Sequence, residues 1–154
     1  MTDAIYRFKY HFERCHASFF AGEILKVHGK EILSLHPEVL VPVPVHKKKL
    51  KKRGYNQAAE LAKALSERLG IPADETLLLR GRNTTPQKKL TPEERKNNLK
   101  TAFLSGQNRV NYKSAMLVDD IYTTGATIEA CTECLHNMGI SEVFYTSICI
   151  GKGY

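Results

Sequence analysis

The chain has 154 residues, a net charge of +7, 42% hydrophobic residues and 25% charged residues. This size and composition predict one globular domain over residues 1–154 and exclude a disordered chain. No apolar run approaches the roughly 18 residues of a membrane-spanning helix, so we expect no membrane insertion. The N-terminus lacks a secretory signal pattern and there are four cysteines, so we expect reduced thiols and a cytoplasmic protein.

The excess of positive charge lies in the middle of the chain. Residues 46–100 hold fifteen Lys and Arg against six Asp and Glu, a net +9, whereas the remainder carries −2. Such a concentration of cations indicates an anionic partner, either a nucleic acid or a phosphorylated metabolite. A solvated basic face without a dedicated partner stays open as the alternative on composition alone.

The first 36 residues form a predicted helical segment. Apolar residues between Tyr6 and Leu35 recur at helical spacing, which predicts one or two helices with Gly22 and Gly29 as points of interruption. The segment ends at His36, because the residue before a proline is pushed out of the helical region.

A strand, a basic loop and a helix are predicted next. β-Branched residues over Val39–Val43 predict a short buried strand. The following stretch, His46–Tyr55, is so rich in lysine that we expect a loop. Asn56 is a good N-cap for an amphipathic helix that Gly70 ends.

The second half of the chain alternates strands and a helix around a polar stretch. Short strands are predicted at Thr76–Leu79 and Thr101–Leu104, on either side of a long, mostly polar loop over residues 80–100. A buried strand at Ala115–Val118 precedes a helix over Ala126–Met138 with Gly139 as its C-cap. The last strand is predicted at Glu142–Ile150.

This order of elements predicts an α/β fold with a mostly parallel sheet flanked by helices. Such sheets place their ligand sites at the carboxyl ends of the strands. The loops that follow Val43 and Val118 are therefore expected to meet at one edge of the sheet.

The most informative motif is LVDDIYTTGAT at residues 117–127. A strand delivers two adjacent carboxylates, Asp119 and Asp120, and a loop of small and hydroxylated residues then enters a helix. Backbone N–H groups at a helix N-terminus attract phosphate, and Gly125 permits close approach. Carboxylates beside a phosphate are suited to sugar hydroxyls or Mg²⁺, so the motif indicates a sugar phosphate. An ordinary strand-to-helix turn with a threonine cap is the alternative.

LVDDIYTTGAT resembles the phosphoribosyl pyrophosphate (PRPP) motif of type I phosphoribosyltransferases. Within that group the chain resembles the ComF family of competence-associated proteins, through VPVPVHKKKLKKRGYNQAAELA at residues 41–62 and RNTTPQKKLTPEERKNNL at residues 82–99. The resemblance implies a phosphoribosyltransferase-like domain that binds PRPP with Mg²⁺ and is associated with DNA uptake in natural competence. It also implies a flexible hood loop over residues 80–100.

The resemblance also implies roles for individual residues. The PRPP-binding residues are Asp119, Asp120, Tyr122, Thr123, Thr124, Gly125, Ala126 and Thr127. The pyrophosphate loop is Pro44, Val45, His46 and Lys47. Asp119 and Asp120, with Lys88 and Arg95 on the hood loop, are the candidate catalytic residues. Mg²⁺ is expected to be held through the substrate, with Asp119 and Asp120 as the protein groups that can help. The acceptor of the ribose phosphate is not indicated.

The basic run over residues 47–53 has two interpretations. Its cations can neutralise pyrophosphate or follow a nucleic-acid backbone. The candidate nucleic-acid residues are Lys47, Lys48, Lys49, Lys51, Lys52 and Arg53. A non-catalytic protein of the transformation machinery, handling single-stranded DNA or sensing PRPP, is therefore the alternative function. The partners that the resemblance implies are single-stranded DNA, a competence helicase and a second copy of the chain.

Relatives in this family usually begin with a four-cysteine zinc module, and this chain has no such cysteine spacing. Cys131-x-x-Cys134 supplies only two thiols, whereas a structural zinc site needs four ligands. We therefore expect no zinc in this chain.

Overall fold

The computed structural model describes residues 15–81, 102–106 and 111–150. In chain order, its helices and strands are α1 (Cys15–Ser34), β1 (Val39–Pro42), α2 (Lys47–Arg53), α3 (Gln57–Leu69), β2 (Leu78–Arg80), β3 (Phe103–Ser105), β4 (Ser114–Tyr122), α4 (Ala126–Asn137) and β5 (Glu142–Ile150). Most of the predicted hood loop, including Lys88 and Arg95, lies outside the described residues.

The central sheet has three parallel strands in the order β1-β4-β5. Val39 of β1 pairs with Ala115 of β4, and Ser114 of β4 pairs with Glu142 of β5. On its other side, the backbone N–H of Leu40 donates to Pro72 O at 2.8 Å, so the segment after α3 covers this edge of β1. The predicted α/β fold with a parallel sheet is confirmed.

Helices cover both faces of this sheet. Side chains of a strand alternate between faces, and along β4 Met116 and Val118 pack with α1 and α3 whereas Leu117 packs with α4. Leu65 of α3 and Leu135 of α4 are fully buried in these two layers. Burying one such side chain stabilises the fold by about 1.5–3 kcal/mol. The two layers hold the carboxyl ends of β1 and β4 side by side.

The strands β2 and β3 do not belong to the parallel sheet. They form a separate antiparallel pair in which Leu79 lies opposite Leu104. Leu78 and Phe103 are buried in the same layer as α4, whereas Leu79 and Leu104 are exposed. The strands predicted at Thr76–Leu79 and Thr101–Leu104 are therefore present with shifted bounds, and their one-sided burial is typical of an antiparallel pair with one solvated face.

The predicted basic loop at His46–Tyr55 is wrong, because this segment contains the helix α2. The ring Nδ1 of His46 accepts a hydrogen bond from the Lys48 backbone N–H at 3.1 Å and caps the start of the helix. Gly54, at φ 81°, ends the helix with its N–H donated to Leu50 O at 2.7 Å. Lysine and leucine favour helices, so the two caps decide the structure where composition suggested a loop.

Other boundaries also differ from the prediction. α1 runs through Gly22 and Gly29 without a break, since its buried face outweighs the roughly 1 kcal/mol that a helical glycine costs. β4 continues to Tyr122, so the acidic pair lies in the strand and not in the loop. The C-cap of α4 is Met138 instead of Gly139. No helix within the described ranges is long and apolar enough to span a bilayer.

Candidate ribose-phosphate site

The ends of β1 and β4 form a cleft of about 160 Å³. The backbone N–H of Val43 donates to Val118 O at 2.9 Å, which extends the parallel ladder to the point where both strands leave the sheet. Two segments predicted to meet, the one after β1 and the acidic end of β4, therefore lie next to each other. The cleft is lined by Val43, Pro44, Val45, Lys49, Arg53, Asn56, Gln57, Ala58, Arg80, Asp119, Asp120 and Thr127.

The acidic pair provides the negative charge of the cleft. Asp119 and Asp120 are half-buried at the end of β4, and both line the cleft. The backbone N–H of Asp120 donates to Asp119 Oδ1 at 2.8 Å, which orients the Asp119 carboxylate. Carboxylates in this position can accept hydrogen bonds from hydroxyl groups or coordinate a divalent cation through oxygen.

The phosphate loop, residues 122–127, has a backbone that strongly favours glycine at one position. Gly125 has φ 78°, and a Cβ there would lie 2.7 Å from the hydroxyl oxygen of Tyr122. The Tyr122 ring stacks on Tyr145, with centroids 5.4 Å apart, and is thereby held against the loop. Within the described residues, no side chain caps the N-terminus of α4. The first N–H groups of this helix therefore point to a position suited to an anion.

Three cations also line the cleft, and we name them the basic wall: Lys49, Arg53 and Arg80. Arg53 Nη1 donates to Gln57 Oε1 at 3.2 Å, which ties the end of α2 to the start of α3. Arg80 reaches the cleft from β2, and its guanidinium lies 5.0 Å from the centroid of the Phe103 ring. The cleft thus combines two carboxylates with three cations.

Sequence reasoning missed Arg80. Burial of its guanidinium lowers the pKa of Arg80, and attraction to Cys131 and Asp119 opposes that shift. The available signal was weak: a cation directly after the apolar run Thr76–Leu79 indicates a polar strand end but not what it faces. The packing of the β2–β3 pair in the same layer as α4 brings this side chain close to Asp119.

Asn56 fixes the geometry between the end of β1 and the start of α3. Its Oδ1 accepts from the Ala58 backbone N–H at 3.1 Å, which confirms the predicted N-cap. Its Nδ2 donates to Val43 O at 3.1 Å. One side chain therefore connects the first helical turn to the strand end that borders the cleft.

A larger cavity of about 800 Å³ adjoins the cleft. Pro44, Val45, Asn56 and Arg80 line both spaces, so the two are neighbours across a shared wall. The remaining surface of the larger cavity comes from α2, α3 and the β2–β3 pair. It includes Lys47, Leu50, Tyr55, Glu60, Glu75 and Leu104.

The predicted site residues fall into several groups. Those that line the cleft are Pro44, Val45, Lys49, Arg53, Asp119, Asp120 and Thr127. Thr123, Thr124, Gly125 and Ala126 lie beside the cleft in the phosphate loop and at the first turn of α4. Lys47 lines the larger cavity instead, and His46 caps α2. Lys48, Lys51 and Lys52 line neither space and are exposed on α2.

Cys131 and Cys134 of α4 do not line the cleft. Cys131 is fully buried in α4, and burial, followed by the charge of Asp119, raises the pKa of its thiol. Cys134 is half-buried one turn further along, and burial raises its pKa too. In the part of the chain that the structure describes, no three His, Cys, Asp or Glu side chains converge as a metal site would require.

Comparison with known proteins gives three informative relatives. Competence protein F of Haemophilus influenzae is 37% identical over 109 residues, which are 70% of this chain and 48% of that protein. DNA utilization protein YhgH of Escherichia coli is 32% identical, over 80% of this chain and 54% of its own length. Competence protein ComFC of Bacillus subtilis is 30% identical, over 90% of this chain and 55% of its own length.

The chain therefore spans about half the length of the curated relatives that it matches. No family model matches it. Among solved structures, a glutamic acid mutant of an HPRT is similar with a TM-score of 0.46 and 12% identity, over 94% of this chain and 79% of that one. This structural similarity is too low to carry a conclusion about function.

Proposed function

Since the chain belongs to the ComF family, we propose that it binds PRPP together with Mg²⁺ in the cleft between β1 and β4. One observation carries the proposal: the acidic pair and the phosphate loop lie at the end of one strand, and the acidic pair and Thr127 line one cleft with the segment that follows its parallel neighbour. PRPP carries a phosphate and a diphosphate on one ribose. Its binding site therefore needs two places for anions, and acidic side chains near the ribose hydroxyls.

The side chains fit the parts of this ligand. The carboxylates of Asp119 and Asp120 are suited to the ribose 2′- and 3′-hydroxyls, because an ionised carboxylate only accepts hydrogen bonds. The N-terminus of α4, with the threonine hydroxyls of the phosphate loop, is suited to the 5′-phosphate. The basic wall is suited to the diphosphate. When bound, Mg²⁺ would neutralise part of the diphosphate charge and orient it.

Transfer of the ribose phosphate to an acceptor is the enzymatic form of this proposal. The C1–O bond to the diphosphate would break, its electron pair would leave with the diphosphate, and the acceptor's nucleophile would bond to C1. Positioned cations stabilise charge that develops on a leaving group. Lys49 and Arg53 are placed for this, and Lys88 and Arg95 are the further candidates outside the described residues.

Calorimetric titration with PRPP in the presence of Mg²⁺ tests the binding proposal. The wild-type protein is expected to bind, and the double substitution Asp119→Asn with Asp120→Asn is expected to weaken binding by at least about 100-fold, since two charge-assisted contacts are lost. Asp74→Asn is the matched control, because Asp74 lies outside the cleft and an amide oxygen can still accept its bonds from Thr76. Absence of wild-type binding, or equal affinity in the double variant, would refute the proposal.

DNA handling is the second candidate function, and the exposed lysines of α2 favour it. Lys48, Lys51 and Lys52 are exposed and do not line the cleft. They are therefore not placed to neutralise a small ligand bound there. Relatives bear the names competence protein and DNA utilization protein. A row of exposed cations is suited to the phosphate backbone of single-stranded DNA. A competence helicase and a second copy of the chain stay predicted partners.

The two functions can be separated by which cations they need. Replacing Lys48, Lys51 and Lys52 by Gln is expected to reduce the slope of log affinity against log salt for single-stranded DNA by about 2, at roughly 0.7 per lost phosphate contact. PRPP affinity should stay within about twofold, because these side chains do not line the cleft. A DNA affinity that ignores both salt and this triple substitution would exclude α2 as the DNA surface.

A further inference from the structure

Arg80 is the one member of the basic wall that the sequence motifs leave without a role. It is half-buried at the end of β2, and its Nε atom is buried with no hydrogen-bond partner among the described residues. Buried polar atoms are nearly always paired, so an unpaired donor in a functional cleft requires an explanation. A missing ligand atom is one such explanation.

The environment of Arg80 is unfavourable for a cation by itself. Burial lowers the pKa of Arg80, and the attraction of Cys131 and Asp119 offsets only part of that effect. An arginine nevertheless remains charged in proteins. The Phe103 ring, 5.0 Å away, holds the guanidinium by a cation–π contact without using its N–H groups. The Phe103 ring therefore helps to hold the guanidinium at the cleft without occupying its N–H donors.

The position of Arg80 indicates which anion it would meet. It lines the cleft together with Lys49 and Arg53, beside Pro44 and Val45 of the segment that follows β1. Of the phosphate loop, Thr127 lines this cleft, whereas Thr123, Thr124, Gly125 and Ala126 do not. Arg80 shares both the cleft and the larger cavity with Pro44 and Val45, so its neighbours lie mainly in the segment that follows β1.

On the basis of the proposed function, we propose that Arg80 is a fixed binding residue for the diphosphate of PRPP, the group that leaves, and not for its 5′-phosphate. The planar fork of a guanidinium matches two phosphate oxygens at once, which a lysine ammonium cannot do. Arg80 also lines the larger cavity. It would therefore border both the diphosphate and the space that we assign to the acceptor.

The test compares three ligands in the presence of Mg²⁺: PRPP, inorganic pyrophosphate and ribose 5-phosphate. For Arg80→Gln we expect the affinities for PRPP and pyrophosphate to fall roughly 10- to 100-fold, because a charge-assisted paired contact is lost. The affinity for ribose 5-phosphate should change by less than about threefold. Arg80→Lys should recover only part of the loss, since it restores charge without the fork.

Arg68→Gln is the matched arginine control, because Arg68 bonds to Ser18 on α1 and lines neither space. Thermal unfolding of each variant shows whether the fold is retained, and Arg80→Lys supplies the comparison if Arg80→Gln does not fold. Wild-type affinity for pyrophosphate in a folded Arg80 variant would overturn the inference while leaving PRPP binding intact. An equal loss for all three ligands would overturn it as well, since it would show a purely structural role. Failure of the wild-type protein to bind PRPP would refute the proposed function itself.

Discussion

The phosphate loop, through Thr127, and the basic wall border the same cleft, but they are built in opposite ways. The phosphate loop is continuous in sequence and is shaped by its backbone, with Gly125 at positive φ against the Tyr122 ring. The basic wall is assembled from α2 and β2, and it acts through long side chains. A site made from one short segment leaves a readable motif, whereas a site made from distant segments exists only in the folded chain.

The two regions also differ in what they offer an anion. The phosphate loop offers backbone N–H groups at a helix N-terminus, which carry partial charge in fixed positions. The basic wall offers full charges, two of them on guanidinium groups that are anchored by Gln57 and Phe103. The loop should therefore be sensitive to backbone geometry and the wall to charge, and the following substitutions test that contrast.

The largest effect is expected at Gly125. Alanine there would combine backbone strain at φ 78° with a Cβ 2.7 Å from the Tyr122 hydroxyl. We expect the free energy of unfolding to fall by roughly 2–4 kcal/mol. Gly70→Ala is the matched control, because Gly70 has φ 70° with no atom within 4 Å of the added Cβ, and it should cost only about 1 kcal/mol. Chemical denaturation of both variants measures the difference.

Removing the Tyr122 hydroxyl should separate the two parts of that loss. The double variant Gly125→Ala with Tyr122→Phe is expected to recover about 1 kcal/mol or more relative to Gly125→Ala alone, because the nearest clashing atom is gone. If the Gly125 and Gly70 variants lose equal stability, the contact with Tyr122 does not shape the loop.

An intermediate effect is expected at Asn56, which joins the start of α3 to the segment after β1. Asn56→Ala removes both the N-cap bond to Ala58 and the bond to Val43 O, and should cost roughly 2 kcal/mol. Asn56→Ser keeps a capping oxygen but is too short to reach Val43, so it should cost about 1 kcal/mol. Urea unfolding of the two variants gives the comparison, and equal losses would mean that the bond to Val43 contributes nothing.

The smallest effect is expected from the titration of Cys131, which is buried in α4. Burial raises the pKa of this thiol in the folded protein, so the unfolded chain loses its proton first as the pH rises. With an ordinary thiol pKa of 9.0 in the unfolded chain, stability should therefore fall above about pH 9, by about 1.4 kcal/mol at pH 10 from this group alone. Cys131→Ala should lack that part of the decline, while the shape of its stability profile between roughly pH 6 and 8 should match that of the wild type. If the wild type and Cys131→Ala have stability profiles of identical shape up to about pH 10, the Cys131 thiol does not contribute to the alkaline loss of stability.

The sequence predicted the features that are local. The apolar run before Asp119 predicted a strand, the small residues after it predicted a turn into a helix, and Asn56 was predicted as an N-cap. Each of these depends on neighbours within a few positions. The parallel sheet also followed, because strands separated by helices pair in this way.

The features that the sequence did not predict depend on specific pairings. The helix α2 was missed because a run of lysines suggests a solvated loop, whereas the helix depends on its caps, a histidine ring and a glycine. Arg80 was missed because its place at the cleft depends on how the β2–β3 pair, in which Arg80 lies opposite Phe103, packs in the layer of α4. Hydrophobic pattern sets which residues are buried, but it does not set which strand lies next to another.

The pairing of the strands has a consequence for how the site assembles during folding. The β4–α4–β5 unit is joined by contacts of short sequence separation, with Ser114 paired to Glu142, whereas β1 joins β4 through the distant pair Val39 and Ala115. Contacts of low separation lose less chain entropy on closure and tend to form sooner. We expect the acidic pair and the phosphate loop to acquire their geometry first. The lysine-rich helix α2, which follows β1 in the chain, should reach its position at the cleft only when β1 pairs with β4. Anion affinity would then report completion of the whole fold.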